Sequence, residues 1–181
     1  NPIIETMSRS VVLAPGEGDL ILTYFTPVTY KRNELLLHSG QLAQEVFFVE
    51  TGALHQFYTD DNGTDRSCNF IFENEFITDL ESFAKKQAAT CFIQALESSI
   101  CQVIKCGELM ELMELSPATK EFFRQIVEQV ASDGIRRTRS LQSSTPEKTF
   151  MELIAQRPDI FQLVPQRLVA QYLGIAPESL S

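Results

Sequence analysis

The chain has 181 residues, 44% of them hydrophobic, and a net charge of −9 at neutral pH. That is ordinary globular material, long enough for one good core and a smaller second unit. No apolar run approaches the ~18 residues needed to span a bilayer, and the start at Asn1 shows neither the basic nor the apolar region of a signal peptide. No membrane partner is expected, and a cytoplasmic location follows. The charge is uneven: residues 1–133 hold 9 Lys/Arg against 20 Asp/Glu, whereas residues 134–181 hold 6 against 4. An acidic body with a mildly basic tail suits a regulator whose small terminal unit meets phosphates while the rest stays clear of them.

Up to about residue 26 the chain is mixed. Ala14-Pro-Gly-Glu-Gly18 is a break, and Leu20-Ile-Leu-Thr-Tyr-Phe25 is a short apolar stretch compatible with either helix or strand. From Val28 to about Val103 short β-type runs alternate with turn residues: Val28–Tyr30, Leu35–Leu37, Val46–Val49, Leu54–Tyr58, Cys68–Phe72 and Cys91–Ala95. That spacing predicts an antiparallel β-roll or barrel. Asn62-Gly63 lies between two of the runs and is a hairpin signal, because both residues tolerate positive φ; Gly40 and Gly52 mark two more turns.

The four cysteines, Cys68, Cys91, Cys101 and Cys106, lack paired spacing and lie within or beside apolar stretches. Buried free thiols are expected rather than a zinc or iron-sulfur site. His38 and His55 are the only histidines, too few for a metalloenzyme roll, and each is expected on the surface or in a turn. There is no Gly-rich phosphate loop, no nucleophile elbow and no Ser/His/Asp arrangement. The chain is therefore expected not to be an enzyme, with no cofactor and no metal.

Near Glu108 the apolar period lengthens toward that of a helix. After Pro117, Phe123, Val127, Val130, Gly134, Thr138 and Leu141 recur at intervals of three or four, which predicts a two-sided helix of about 25 residues. Its apolar line is too narrow for a core helix and suits pairing with a copy of itself. Gly134 costs about 1 kcal/mol against Ala in mid-helix, tolerable where two backbones cross closely. Ser140 to Pro146 is the best hinge, and Thr145-Pro-Glu-Lys148 opens a further helix that Arg157-Pro158 ends.

The tail, residues 165–181, predicts two short helices joined by a tight turn. Leu168, Val169, Leu173 and Ile175 form an apolar stripe, Ala170 lets a second helix cross closely, and Gly174 can take the positive φ that ends a helix. Pro177 fits a first helical position and Glu178 favours the positive end of the helix dipole. Ala176, where Ser or Thr would cap, forfeits about 1 kcal/mol.

The order of roll, long helix, hinge, helix and helix-turn-helix resembles the Crp/Fnr family of bacterial transcription regulators over nearly the whole chain. The specific pieces are Val46-Phe-Phe-Val-Glu-Thr-Gly52, similar to the family's strand and glycine turn, and Asn74-Glu-Phe-Ile-Thr-Asp-Leu80 with Phe92-Ile-Gln-Ala-Leu96, similar to its phosphate-cassette region. The stretch from Val164 through Ser181 is a third such piece, and within it Tyr172 to Ser181 looks like the versions in Bacteroidetes-type members. The resemblance implies an α+β fold: an antiparallel β-roll (double-stranded β-helix) with flanking helices over 1–116, a dimerisation helix over 117–141, and a winged helix-turn-helix over 142–181 that is cut short at Ser181.

By the same resemblance the protein is a homodimer that binds a palindromic operator in double-stranded DNA. Gln166 and Arg167 are expected on backbone phosphates, and Pro177, Glu178, Ser179 and Ser181 toward the groove, with Glu178 reading a base edge and Leu180 packed inward. Phe123, Val127, Val130, Gly134, Thr138 and Leu141 form the expected dimer interface. The effector pocket falls on Phe76, Thr78, Asp79, Leu80, Ala89 and Thr90, with an unidentified small-molecule effector or none. Members that bind cyclic AMP carry an arginine where Ala89 stands, and a Gly-Glu pair where Thr78 and Asp79 stand. Without that guanidinium an anionic phosphate loses its strongest partner, so no response to cyclic AMP is expected. Lys85 and Lys86 are expected at a solvated loop tip. The alternative from another class is a regulatory module that contacts proteins and not DNA. A molecule truly ending at Ser181 is expected to bind operator poorly.

Overall fold

The computed structural model describes residues 1–180, Leu141 by its backbone alone. Two short helices, α1 (Pro2–Ser8) and α2 (Glu17–Thr23), precede eight strands: β1 (Thr26–Tyr30), β2 (Leu35–Leu37), β3 (Glu45–Thr51), β4 (Leu54–Thr59), β5 (Asp65–Ile71), β6 (Phe76–Ile77), β7 (Phe92–Ala95) and β8 (Ser99–Lys105). Helix α3 (Leu80–Lys85) lies between β6 and β7, and α4 (Cys106–Leu115), α5 (Pro117–Ser143), α6 (Pro146–Gln156), α7 (Ile160–Leu163) and α8 (Gln166–Leu173) follow. A 3-10 turn over Pro177–Leu180 closes the described chain. The undecided stretch from Leu20 is thus helical.

The strands form two antiparallel four-stranded sheets, β1-β8-β3-β6 and β2-β7-β4-β5, so the expected roll is present. Strand β3 shows why Val46-Phe-Phe-Val is apolar without alternation. Phe47 and Val49 face the space between the sheets, with Leu54, Ile71, Ile93, Cys101 and Val103. Val46 and Phe48 face the other way, onto Ile3, Met7, Ile21, Leu109, Leu112 and Phe122 of the helices. A strand covered on both faces must be apolar on both. Gly52 takes φ 96°, and a Cβ there would collide with the Ser99 side chain and lie 3.0 Å from its Cα, so both conformation and space demand glycine.

Three local expectations need correction. The Asn62-Gly63 hairpin joins β4 to β5 as expected, but only Gly63 takes positive φ: Asp60 Oδ1 accepts from the Asn62 and Thr64 amides at 3.0 Å each, closing a longer loop. Lys85 lies in helix α3, bonded to Glu81 at 2.7 Å, and Lys86 caps that helix over the Phe83 ring, so the pair is not a loop tip. The proposed hinge shortens, because α5 runs on to Ser143 before Thr145 caps α6 through the Lys148 amide.

Helix α5 does two jobs along its length. Its first turns carry Phe122, 5% exposed, and Phe123 into the helical core, where both rings meet Phe76. Beyond them Val127, Val130 and Ile135 stand about half exposed. Its N-terminus is fixed by Ser116, whose hydroxyl bonds both the Thr119 amide and the Glu17 carboxylate of α2; the bond from Ser116, with those from the Ala14 and Ala118 amides, draws Glu17 below the usual carboxylate range.

Candidate functional site

The outer face of sheet β2-β7-β4-β5 carries the chemistry. Opposite Gln56 and Phe57 the register of β5 shifts, so Cys68 is an extra residue, a bulge in an edge strand. Bulges and edges leave main-chain groups without ladder partners. Arg137 of α5 fills them: its guanidinium donates to the carbonyls of Cys68, Ser67 and Tyr172, the last two at 3.3 and 3.4 Å, and lies 3.9 Å from the Tyr172 ring centre. One side chain therefore ties the long helix, the roll and α8 together. A second arginine repeats the device: Arg157, ending α6, stacks 4.6 Å from the Phe72 ring centre and pairs with Glu75.

Between the two arginines the contact is apolar. Phe70, Phe72 and Ala53 of the roll pack with Leu153, Ile160, Val164, Leu168, Val169 and Leu173 of the C-terminal helices. A row of rings crosses the sheet: Phe92 on Phe57, Phe57 on His55 and His55 on Phe70 are stacked with centres 5.0, 5.0 and 5.2 Å apart, and Phe70 meets Tyr172 at 5.6 Å. His55 is 3% exposed, which corrects the expected surface histidine: β4 places it where α8 covers the sheet. Burial pushes its imidazole down to about 4. Its Nε2 lies 2.8 Å from the Ser67 hydroxyl, which donates to Gln171 Oε1 of α8 at 3.2 Å. With that proton committed to Gln171, the histidine donates from Nε2.

The cassette region is arranged differently. Thr78 Oγ1 donates to the Glu45 carbonyl at 2.8 Å. Asp79 is buried, and both of its oxygens are engaged: Oδ1 caps α3 by accepting from the Ser82 amide at 2.9 Å, and Oδ2 accepts from Cys91 Sγ at 3.1 Å. Gln56 Nε2 donates to the same sulfur at 3.1 Å. Burial pushes the Cys91 thiol up to about 12, so it stays protonated. Ala89, 3% exposed, is held between Gln41 and Gly40 by main-chain bonds, and Phe76 turns away into the helical core, while Leu80 is half-buried and Thr90 exposed. Cys68, Cys91, Cys101 and Cys106 are free thiols, the last three buried.

At the tail, α8 ends at Gly174 with φ 71°, as the sequence predicts. The second element starts at Pro177, but as a single 3-10 turn, in keeping with the missing side-chain cap at Ala176. Gln166, Pro177, Glu178 and Ser179 are exposed, and Leu180 packs with the interface core. Arg167 lines a cleft against the roll. Ser181 and the Leu141 side chain lie outside the described residues. On α5, Val127, Val130, Gly134 and Thr138 all lie exposed, Thr138 bonding back to the Gly134 carbonyl at 2.9 Å. Among the described residues no group of three or more His, Cys, Asp or Glu could hold a metal, and no helix is long and apolar enough to cross a membrane.

Residues 27–116 match the family described as the cyclic nucleotide-binding domain. That stretch carries the sequence pattern of this domain family. Among solved structures, the catabolite activator protein of Thermus thermophilus superposes with TM-score 0.65 at 18% identity over 97% of this chain and 83% of its own. A CooA mutant from Carboxydothermus hydrogenoformans gives TM-score 0.70 at 13% identity, over 88% and 74%. CLP of Xanthomonas campestris, a c-di-GMP-responsive global regulator, gives 0.68 at 14%, over 92% and 87%. The likeness establishes the fold. No curated protein matches the sequence. The clamp of Arg137 and the His55-Ser67-Gln171 chain left no signal in the sequence, because each joins residues at least 12 positions apart.

Proposed function

We propose that this chain is the sensor and reading portion of a homodimeric transcriptional regulator of the Crp/Fnr type, with domains at 1–116, 117–141 and 142–181. The observation that carries this reading is the uncovered line of Val127, Val130, Gly134 and Thr138 on a helix leading from a cyclic nucleotide-binding domain to a short helix pair. A second copy laid along that line would bury the valines and accept Gly134, at which a Cβ meets nothing within 4 Å in the single chain. Pairing would set two reading units about 34 Å apart, one turn of duplex.

In this reading Gln166 and Arg167 serve backbone phosphates, and Pro177, Glu178, Ser179 and Ser181 face the groove. Arg167 must then leave its cleft, or reach past it, on binding DNA. The roll does not answer to cyclic AMP: the buried Ala89 offers no guanidinium, and Asp79, expected to take the place of the sugar-binding glutamate, has both oxygens engaged. Sensing would change the angle between the roll and the C-terminal unit, since Arg137 joins both to the long helix.

The test is sedimentation of the chain with selection of bound duplexes from random sequence. A dimer that Val127→Glu with Val130→Glu converts to monomer is expected, with weakly held palindromic sites whose affinity falls as salt rises. A monomer at all concentrations would sink the dimer, and a partner captured without salt dependence or duplex binding would favour the protein-interaction module.

A further inference from the structure

In the cassette Thr78, Asp79 and Cys91 bond to the protein itself, and a polar cleft opens elsewhere. A cleft of about 110 Å³ separates the outer face of sheet β2-β7-β4-β5 from α8, with Arg32, Asn33, Asp65, Gln94, Arg167 and Gln171 in its lining. Both arginines are exposed, and among the described residues neither forms an ion pair. Two unpaired guanidiniums in one cleft stand out in a chain of net charge −9, where carboxylates are plentiful.

The other groups narrow the chemistry. Gln171 spends its Oε1 on Ser67, so its Nε2 remains to donate. Asp65 is the one carboxylate in the lining; its Oδ1 accepts from Thr59 Oγ1 at 2.8 Å, which leaves Oδ2 as an acceptor. The charges of Asp65 and Arg167 both act on the His55 imidazole, in opposite directions, which places them in one neighbourhood. The volume falls well short of the roughly 300–1,000 Å³ of sites for drug-sized ligands, so a whole nucleotide does not fit. Forked guanidinium donors with an amide donor suit the oxygens of a small oxyanion. A carboxylate among them suits an oxyanion that still carries a proton, which it can accept in a hydrogen bond; an oxyanion without one meets only repulsion there.

We infer that this cleft binds a small oxyanion that keeps a proton at neutral pH, of which hydrogen phosphate is the type, and that the bound anion holds the C-terminal unit against the roll. Because the lining comes from both units, the ligand binds the docked arrangement alone and stabilises it by mass action. The regulatory meaning rests on the function proposed above; the binding itself rests on the cleft.

Titration calorimetry of the chain with sodium phosphate tests this, with sulfate and acetate at matched ionic strength as comparators. One saturable phosphate site is expected, with sulfate and acetate weaker by about tenfold or more, the scale of one hydrogen bond to a charged group. Arg32→Gln and Arg167→Gln should each weaken phosphate by a similar factor, and the exposed Arg9→Gln should not. Asp65→Asn should bring sulfate level with phosphate. Phosphate should also slow amide hydrogen exchange in β5 and α8 of the parent chain and not of Arg167→Gln. Absence of a saturable site, indifference to both arginine variants, or equal binding of sulfate by the parent chain would each overturn the inference. Duplex binding, measured separately, is untouched by that result, so the two readings fail independently.

Discussion

The two sheets of the roll are each covered by helices, and the coverings differ in kind. On β1-β8-β3-β6, helices α1, α2, α4 and the start of α5 bury Ile3, Met7, Ile21, Phe48, Leu109, Leu112 and Phe122 in one apolar cluster. On β2-β7-β4-β5, the C-terminal unit buries a comparable set but adds two arginine clamps, a buried histidine and a polar cleft. Apolar contact depends little on pH, and in the first covering it outweighs the few polar links, such as that of Ser116 to Glu17. Charged hydrogen bonds are directional and conditional, and interfaces between units of one chain are usually of this more polar kind. The second covering is therefore the one whose strength should depend on conditions.

The comparison can be broken from either side. Phe48→Ala, at a fully buried ring, should cost about 3–5 kcal/mol of global stability, read as a lower urea midpoint for the whole chain; a loss confined to the C-terminal unit would mean that the helical covering is not part of the roll's core. Arg137→Ala should have a smaller effect of about 1.5–3 kcal/mol, and a local one. Hydrogen exchange should rise in α8 and β5 while the urea midpoint of the roll barely moves. Equal acceleration in α1 and α4 would show the two coverings to be one cooperative unit.

The smallest expected effect is that of pH. His55 is held at about 4 against an unperturbed 6.5, so the neutral form is favoured in the docked structure. The associated stability is fully present above pH 6.5 and is lost progressively as the pH falls toward 4. Asp65 of β5 and Arg167 of α8 are the charged groups whose fields reach the ring. Docking of α8, followed by Tyr172 fluorescence or by exchange, should therefore loosen through that window, and His55→Phe should flatten the response. A profile unchanged by His55→Phe would assign the loosening to other groups.

Local chemistry made much of this molecule legible. Thr145 before Pro146 announced α6, Gly174 announced the end of α8, and the three-to-four spacing from Phe123 announced α5, because caps, positive φ and helical period are properties of neighbouring residues. Strand β8 was harder: its alternation breaks where Val103 and Ile104 are both buried, one on each face, and it becomes a strand through pairing with β1 and β3. The Ser140–Pro146 stretch looked like a hinge because its residues favour turns, yet helix α5 absorbs Ser140–Ser143. There Ser143 bonds back to the Arg139 carbonyl and Ser140 meets Thr149.

What the sequence alone determined was most strands of the roll and the helices α5, α6 and α8 in their order, since periodicity and turn residues act over a few positions; the family came from resemblance. What only the tertiary structure decided was which side chains meet. His55, Ser67 and Gln171, or Arg32 and Arg167, are far apart in the chain and acquire a common chemistry when α8 is laid on the sheet. Asp79 shows the reverse: its place in the sequence resembles a ligand position, and folding commits both of its oxygens to the protein itself. A residue's type fixes which bonds it can make, but the competition among partners brought close by the fold fixes which it does make.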